Sequence, residues 1–196
     1  MHKLIRAAAP AILALSMLGG CESAPPVQRL PQMTFAHLQT FKVDVAKIEI
    51  ENRFNPPLAA PHVEHLMPTS PVQALEQWLK DRFTAVGRTG TLRLIIDDAR
   101  ATETELAKDT SFKGKLTKQQ SYRYDLAVRA TLELKGNAGD LLGSAGANAE
   151  RSITAREDIS LNDREKLWFD TVSLLMTSFD KAMDANVRRY LGSWLR

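Results

Sequence analysis

From Tyr122 to Leu134 every even-numbered residue is apolar: Tyr122, Tyr124, Leu126, Val128, Ala130, Leu132 and Leu134. The odd positions carry Arg123, Asp125, Arg129, Thr131, Glu133 and Lys135, with Ala127 alone out of pattern. A period of two with one apolar and one polar face marks a half-buried antiparallel strand, here residues 121–135. The stretch GNAGD, residues 136–140, reads as its turn. The following strand, residues 143–157, is built on Ala145, Ala147, Ala149, Ile153 and Ala155, small side chains that let a helix lie close. Then the period changes. Trp168, Val172, Leu175, Phe179, Met183, Val187 and Leu191 recur at three- or four-residue steps, which predicts a helix with one apolar stripe. Asn162, with Glu165 three residues on, is its expected cap. Residues 163–195 as one helix would run about 50 Å, and the strand over 121–135 reaches a similar ~50 Å.

The first half of the chain has the same two periods, with breaks. In residues 41–54 the apolar set Phe41, Val43, Val45 is odd and the set Ile48, Ile50 is even, so a bulge near Ala46 and Lys47 is needed to keep both on one face. Residues 55–71, NPPLAAPHVEHLMPTSP, hold five prolines and can be neither a regular helix nor a central strand. Ser70, Pro71 and Gln73 form a capping box with proline at the first helical position. The helix they open has Val72, Leu75, Leu79, Phe83 and Val86 in one stripe, Trp78 beside it, and Gly87 as the expected stop. Residues 91–102 read as a second strand. The order is therefore β-α-β-β-β-α. A right-handed crossover makes the first two strands parallel, and hairpins link the rest. The polar face of residues 121–135 keeps both helices on the other side. The expected fold is α+β: a four-stranded mixed sheet with two helices on one face.

The N-terminus sets a location. Lys3 and Arg6 precede an apolar run, residues 7–18, too short to span a bilayer and broken by Pro10. This suits the core of a signal peptide. The run ends Leu18-Gly19-Gly20-Cys21, and Cys21 is the only cysteine. The segment resembles the bacterial lipobox, in which the cysteine thiol is diacylated and the chain is cut before it. Two or three acyl chains, at about 0.8 kcal/mol per buried methylene, anchor stably. Glu22 stands where an aspartate typically signals retention in the inner membrane, so the resemblance implies the outer membrane, facing the periplasm. Three parts follow: residues 1–20 as signal peptide, 21–40 as the acylated cysteine and a tether with Pro25, Pro26 and Pro31, and 41–196 as one domain.

Charge then changes meaning. The net charge of +3 includes Lys3 and Arg6; without residues 1–20 there remain 24 basic and 23 acidic side chains. That balance gives no reason to propose nucleic acid. With Cys21 given to lipid, no disulfide forms within the chain, and the core must hold the fold unaided. This element order on an acylated tether resembles the auxiliary lipoproteins of ABC-type transporters, the lipoprotein that plugs the lipopolysaccharide export barrel, and uncharacterised proteobacterial lipoproteins with a similar HVEHL-type loop. The resemblance implies an accessory role in the envelope.

Candidate chemistry is sparse. His62, Glu64 and His65 have chelating spacing, but no HExxH motif, free cysteine or fourth ligand accompanies them, so no metal and no cofactor beyond the lipid on Cys21 is expected. No GxSxG or phosphate loop is present. Asp97 and Asp98 are adjacent in a strand and point to opposite faces, which suits a solvated strand end rather than a shared proton. No enzyme and no small-molecule substrate are inferred. Two stretches remain. The proline-rich loop, with Pro56, Pro57, Pro61, His62, Glu64, His65 and Pro68, is long enough to be a docking loop for an envelope protein, and its prolines lower the entropy cost of docking. Residues 107–119 carry Lys108, Lys113, Lys115 and Lys118 around Phe112 and Leu116, either a solvated hairpin tip or a contact for anionic lipid at about 1 kcal/mol per lysine. The expected role is a non-enzymatic outer-membrane accessory lipoprotein, in lipid or lipopolysaccharide transport. The alternatives are a lipid- or glycan-binding lipoprotein and, further off, a metal-dependent periplasmic enzyme.

Overall fold

The structure, a computed structural model, describes residues 30–107 and 119–196. It is α+β. The main sheet has β2 (Lys47–Asn52), β4 (Thr91–Asp98), β5 (Ala101–Glu105), β6 (Gln120–Lys135) and β7 (Leu141–Arg156). β2 runs parallel to β4; β4 and β5 both lie antiparallel along one edge of β6, and β7 lies along its other edge. The helices α1 (Pro71–Arg82) and α2 (Leu161–Tyr190) cover one face. A second, two-stranded sheet pairs β1 (Phe41–Val43) with β3 (Phe83–Ala85) in parallel.

The expected layering holds, and the apolar periods of residues 121–135 and of the last helix land on the core. Leu92, Leu94 and Ile96 of β4, Tyr124 to Leu134 of β6 at even positions, and Ala145, Ala149 and Ala155 of β7 are buried together. The whole stripe of α2 from Trp168 to Leu191 is buried against them. Trp78 of α1 meets Phe179 of α2 edge-on at 5.1 Å and Phe83 at 5.3 Å, which locks the two helices over the sheet. The opposite face is polar. There Arg93 bridges Glu49 and Glu51 of β2 at 3.2 and 3.1 Å.

Several expected boundaries move. The four expected strands become more because two of them break. Residues 41–54 do not bulge and continue; they change sheet. Val45 N–H donates to the Val43 carbonyl at 2.8 Å, the chain turns, and Ala46 N–H donates to the Thr89 and Gly90 carbonyls. The odd set Phe41, Val43 and Val45 is buried, while Ile50 of the even set is exposed. The second strand kinks at Ala99–Arg100 into β4 and β5. α1 ends at Arg82 rather than at Gly87, because Phe83 turns extended and starts β3. Gly87 is instead a close approach: a Cβ there would sit 2.6 Å from the backbone of Asp44 and Val45. α2 is capped by Ser160, not Asn162, its Oγ accepting from Asp163 N–H at 3.1 Å. It stops at Tyr190, short of the expected 195. A 3-10 turn, Gly192–Trp194, then carries the C-terminus beside β1, where Arg196 N–H donates to the Lys42 carbonyl.

The expected tether also overlaps the domain. Met33 and Phe35 are buried in the core. One carboxylate fastens the lead-in: Asp81 Oδ2 accepts from Phe35 N–H at 2.6 Å and from Thr34 Oγ1 at 3.0 Å, and Gln77 donates to Oδ1 at 2.8 Å. Packed structure thus begins before Phe41.

Candidate functional site

The proline-rich loop is built onto an edge of the sheet. Glu103 N–H donates to the Pro61 carbonyl at 2.8 Å and Val63 N–H to the Ala101 carbonyl at 2.9 Å, which closes the outer edge of β5. A 3-10 turn, Glu64–Leu66, follows. Glu64 is 3% exposed, and its Oε1 accepts from Ala101 N–H at 2.7 Å while His62 Nδ1 lies 2.9 Å away. Its Oε2 is buried with no hydrogen-bond partner. Val63 and Met67 sink into the core on either side. The loop is thereby held by a buried carboxylate, two backbone bonds to β5 and two apolar anchors.

This sorts the loop candidates. Glu64 faces inward and His62 is half-buried beside it, so these two serve the clamp and not a partner's surface. His65 is exposed, and so are Pro57, Pro61 and Pro68, with Pro56 half-buried. Leu58, with φ +56, is 63% exposed and Leu66 is 57% exposed. The outward side of the clamp is therefore a ridge of prolines, which the sequence reading named, and of Leu58 and Leu66, which it did not. The apolar residues Val63, Leu66 and Met67 at three- and four-residue spacing carried no signal that would have told the inward pair from the outward leucine. Among the described residues no three His, Cys, Asp or Glu side chains are grouped so as to hold a metal ion.

Beside the ridge, a cleft of about 570 Å³ is lined by the lead-in (Leu30, Met33), the loop's end (Pro68, Thr69), and Lys80 and Glu165 of the two helices. A second cleft of about 340 Å³ lies at the foot of the β5–β6 connection, lined by Gln120, Arg156, Asp163 and Leu167. Glu165 borders one cleft and Asp163 the other, so the chain's entry and the foot of that connection flank the N-terminal end of α2. Cys21 and the six residues Lys108, Phe112, Lys113, Lys115, Leu116 and Lys118 lie outside the described residues.

A third cluster joins the helices, and the sequence reading missed it. Arg82 is buried; its Nε donates to Asp180 and its Nη2 to Asp184, each at 2.7 Å, and Trp78 Nε1 shares Asp180 at 2.8 Å. The guanidinium groups of Arg82 and Arg188 flank the Phe41 ring at 4.8 and 4.9 Å. The signal was there: Arg82 continues the stripe of Leu75, Trp78 and Leu79. Asp98 also departs from expectation. It is buried, paired with Arg100, and not a solvated strand end.

No family model matches the chain, and no curated protein matches it. Among solved structures it is similar to a minor lipoprotein from Acinetobacter baumannii, at 11% identity and a TM-score of 0.37, over 74% of this chain and 91% of that one. It is similar also to rare lipoprotein B from Shewanella oneidensis, at 10% identity and a TM-score of 0.37, over 71% and 92%. Likeness at that level assigns neither fold nor function.

Proposed function

We propose that this is a non-enzymatic lipoprotein of the outer membrane, anchored through Cys21, that docks onto an envelope protein through the ridge of Leu58, Leu66 and their neighbouring prolines. The observation that carries it is the Glu64 clamp: a loop is held from behind while its apolar side faces solvent, which removes the cost of ordering the loop on docking. The anchor rests on the Leu18–Cys21 lipobox. Eight residues separate Cys21 from Leu30; the nine steps between those two would reach about 28 Å at 3.1 Å per residue if extended, which keeps the ridge near the membrane. The lysines of residues 107–119 are proposed to meet anionic lipid, because the foot of that segment shares an end of the domain with the tether's entry. The resemblance to transport accessories makes lipid or lipopolysaccharide export the machine to test first.

The test is affinity capture of the acylated protein from crosslinked, solubilised envelopes, with mass spectrometry of proteins and lipids. Leu58→Asp and Leu66→Asp together are expected to abolish capture of the partner while leaving the fold intact. Retained capture would overturn the ridge, and a stoichiometric lipid or glycan with no protein would make the chain a carrier. The layer between helices and sheet is filled by Leu75, Trp78, Phe179 and their neighbours, so a carrier would have to use the outer clefts.

A further inference from the structure

The cleft of about 570 Å³ carries charge that the fold does not use. Glu76 of α1 and Glu165 of α2 both line it. Each is half-buried, and neither side chain hydrogen-bonds to or pairs with another described residue. Lys80, the cation of the lining, is exposed and pairs with neither. Pro31, Met33 and Pro68 give the cleft an apolar side. Pro68 lies two residues beyond Leu66, so the cleft continues the ridge. The unpaired carboxylates contrast with the rest of the helix pair, where Arg82 takes up Asp180 and Asp184 at 2.7 Å each.

We infer that this cleft takes a basic, extended segment of the envelope partner, with a cationic side chain drawn to Glu76 and Glu165 and apolar neighbours lying on Pro31, Met33 and Pro68. The inference rests on the docking function proposed above and names the chemistry of the partner. Charge selects the occupant. Two carboxylates against one lysine leave the lining negative, which repels an anionic headgroup and attracts a cation. Half-burial has already removed part of the water from both carboxylates, so an incoming cation displaces less of it. Arginine suits the site better than lysine, because its planar fork can meet two carboxylates and its stem can cover apolar surface. The volume falls within the range of about 300–1,000 Å³ usual for ligand sites. Position agrees with charge. Leu30 borders the cleft nine steps from Cys21, and proteins that work at an anionic membrane surface carry basic side chains there.

The probe is a labelled peptide of alternating proline and arginine, which is extended before it binds. It is titrated against the full acylated chain in non-ionic detergent, with the proline–glutamate counterpart as control. The arginine peptide alone is expected to bind, and more weakly as salt rises. Glu76→Gln together with Glu165→Gln is expected to weaken binding about tenfold, each carboxylate contributing about threefold, while circular dichroism and the melting temperature stay unchanged. Glu150→Gln, at an exposed carboxylate of β7 outside the cleft, is expected to change nothing. Absence of binding by the arginine peptide, or equal binding by the double variant, would overturn the inference. Binding that appears only in an Arg29→Gln chain would overturn it too, because the cleft would then belong to the residue before Leu30 and not to a partner. The ridge is tested apart from this: retained capture by the Leu58→Asp, Leu66→Asp chain counts against the ridge alone, and lost peptide binding counts against the cleft alone.

Discussion

Two buried ionic residues do most at the scale of the single side chain. Glu64 takes the Ala101 N–H that β5 would otherwise leave open toward the loop. Glu64→Ala orphans that donor and is expected to cost about 1–3 kcal/mol, read as a lower urea midpoint, with amide exchange rising first at Val63 and Glu103. Arg82 balances two carboxylates. Removing it leaves Asp180 and Asp184 uncompensated between the helices, and Arg82→Ala is expected to cost about 3–5 kcal/mol. The same cluster predicts a pH dependence. Hydrogen bonds from Arg188 and then Arg82 hold the Asp184 carboxyl below its ordinary range, against an opposing cost of partial burial. A depressed pKa means that the contribution is fully present above the unfolded value of about 4 and is lost as pH falls through the folded one. The melting temperature is therefore expected to fall below about pH 4, and to fall less in Asp184→Asn. Equal acid sensitivity of the two proteins would disprove the assignment. Arg82 could be read from its place in an apolar stripe. Its partners could not, because they lie about a hundred positions away on another helix.

At the scale of elements, the start of α1 was legible, the cap of α2 was misplaced by two residues, and neither helix end was legible. The α1 capping box forms as read: Ser70 Oγ accepts from Gln73 N–H at 3.3 Å, and Gln73 Oε1 accepts from Ser70 N–H at 2.9 Å. Ser70→Ala is expected to cost about 1 kcal/mol, a drop of about 2–4 °C in melting temperature for a domain of this size. A start is local, written in three or four residues. An end is decided by what lies nearby. Phe83 stacks on Phe41 at 5.2 Å and Arg82 is held by α2, so the chain leaves the helix to pair with β1. Gly87 supports that pairing by its lack of a side chain. Gly87→Ala is expected to loosen β1–β3 at a cost of about 1–3 kcal/mol, seen as lost exchange protection at Val86 and Gly87, with α1 unaffected. Had Gly87 been a helix stop, alanine there would lengthen the helix and raise helicity.

At the scale of the whole molecule the lead-in matters most. Met33 and Phe35 bury apolar surface and Asp81 pins Thr34 and Phe35, so packed structure begins by Met33. Asp81→Ala is expected to free residues 33–40, read as rapid chymotrypsin cleavage at Phe35 while β1 and the rest of the core stay protected; a protected Phe35 would refute the pinning. Sequence reading placed these residues in a linker because two apolar side chains among prolines and polar residues make no period.

What the sequence determined alone was whatever repeats or is contiguous. Even-odd alternation in β6, the three- and four-residue stripe of α2, the Ser70 cap and the Leu18–Cys21 run each carry their physical cause within a few neighbouring residues. Those periods were enough to give α+β with both helices on one face, because a strand with one polar face can bury only the other. What the tertiary structure decided was every feature whose partner is far along the chain. It split residues 41–54 between two sheets, folded the proline-rich loop onto β5 through Glu64, and brought Arg82 to Asp180 and Asp184. Each is a pairing, and a pairing is set by which surfaces the packed elements bring into contact.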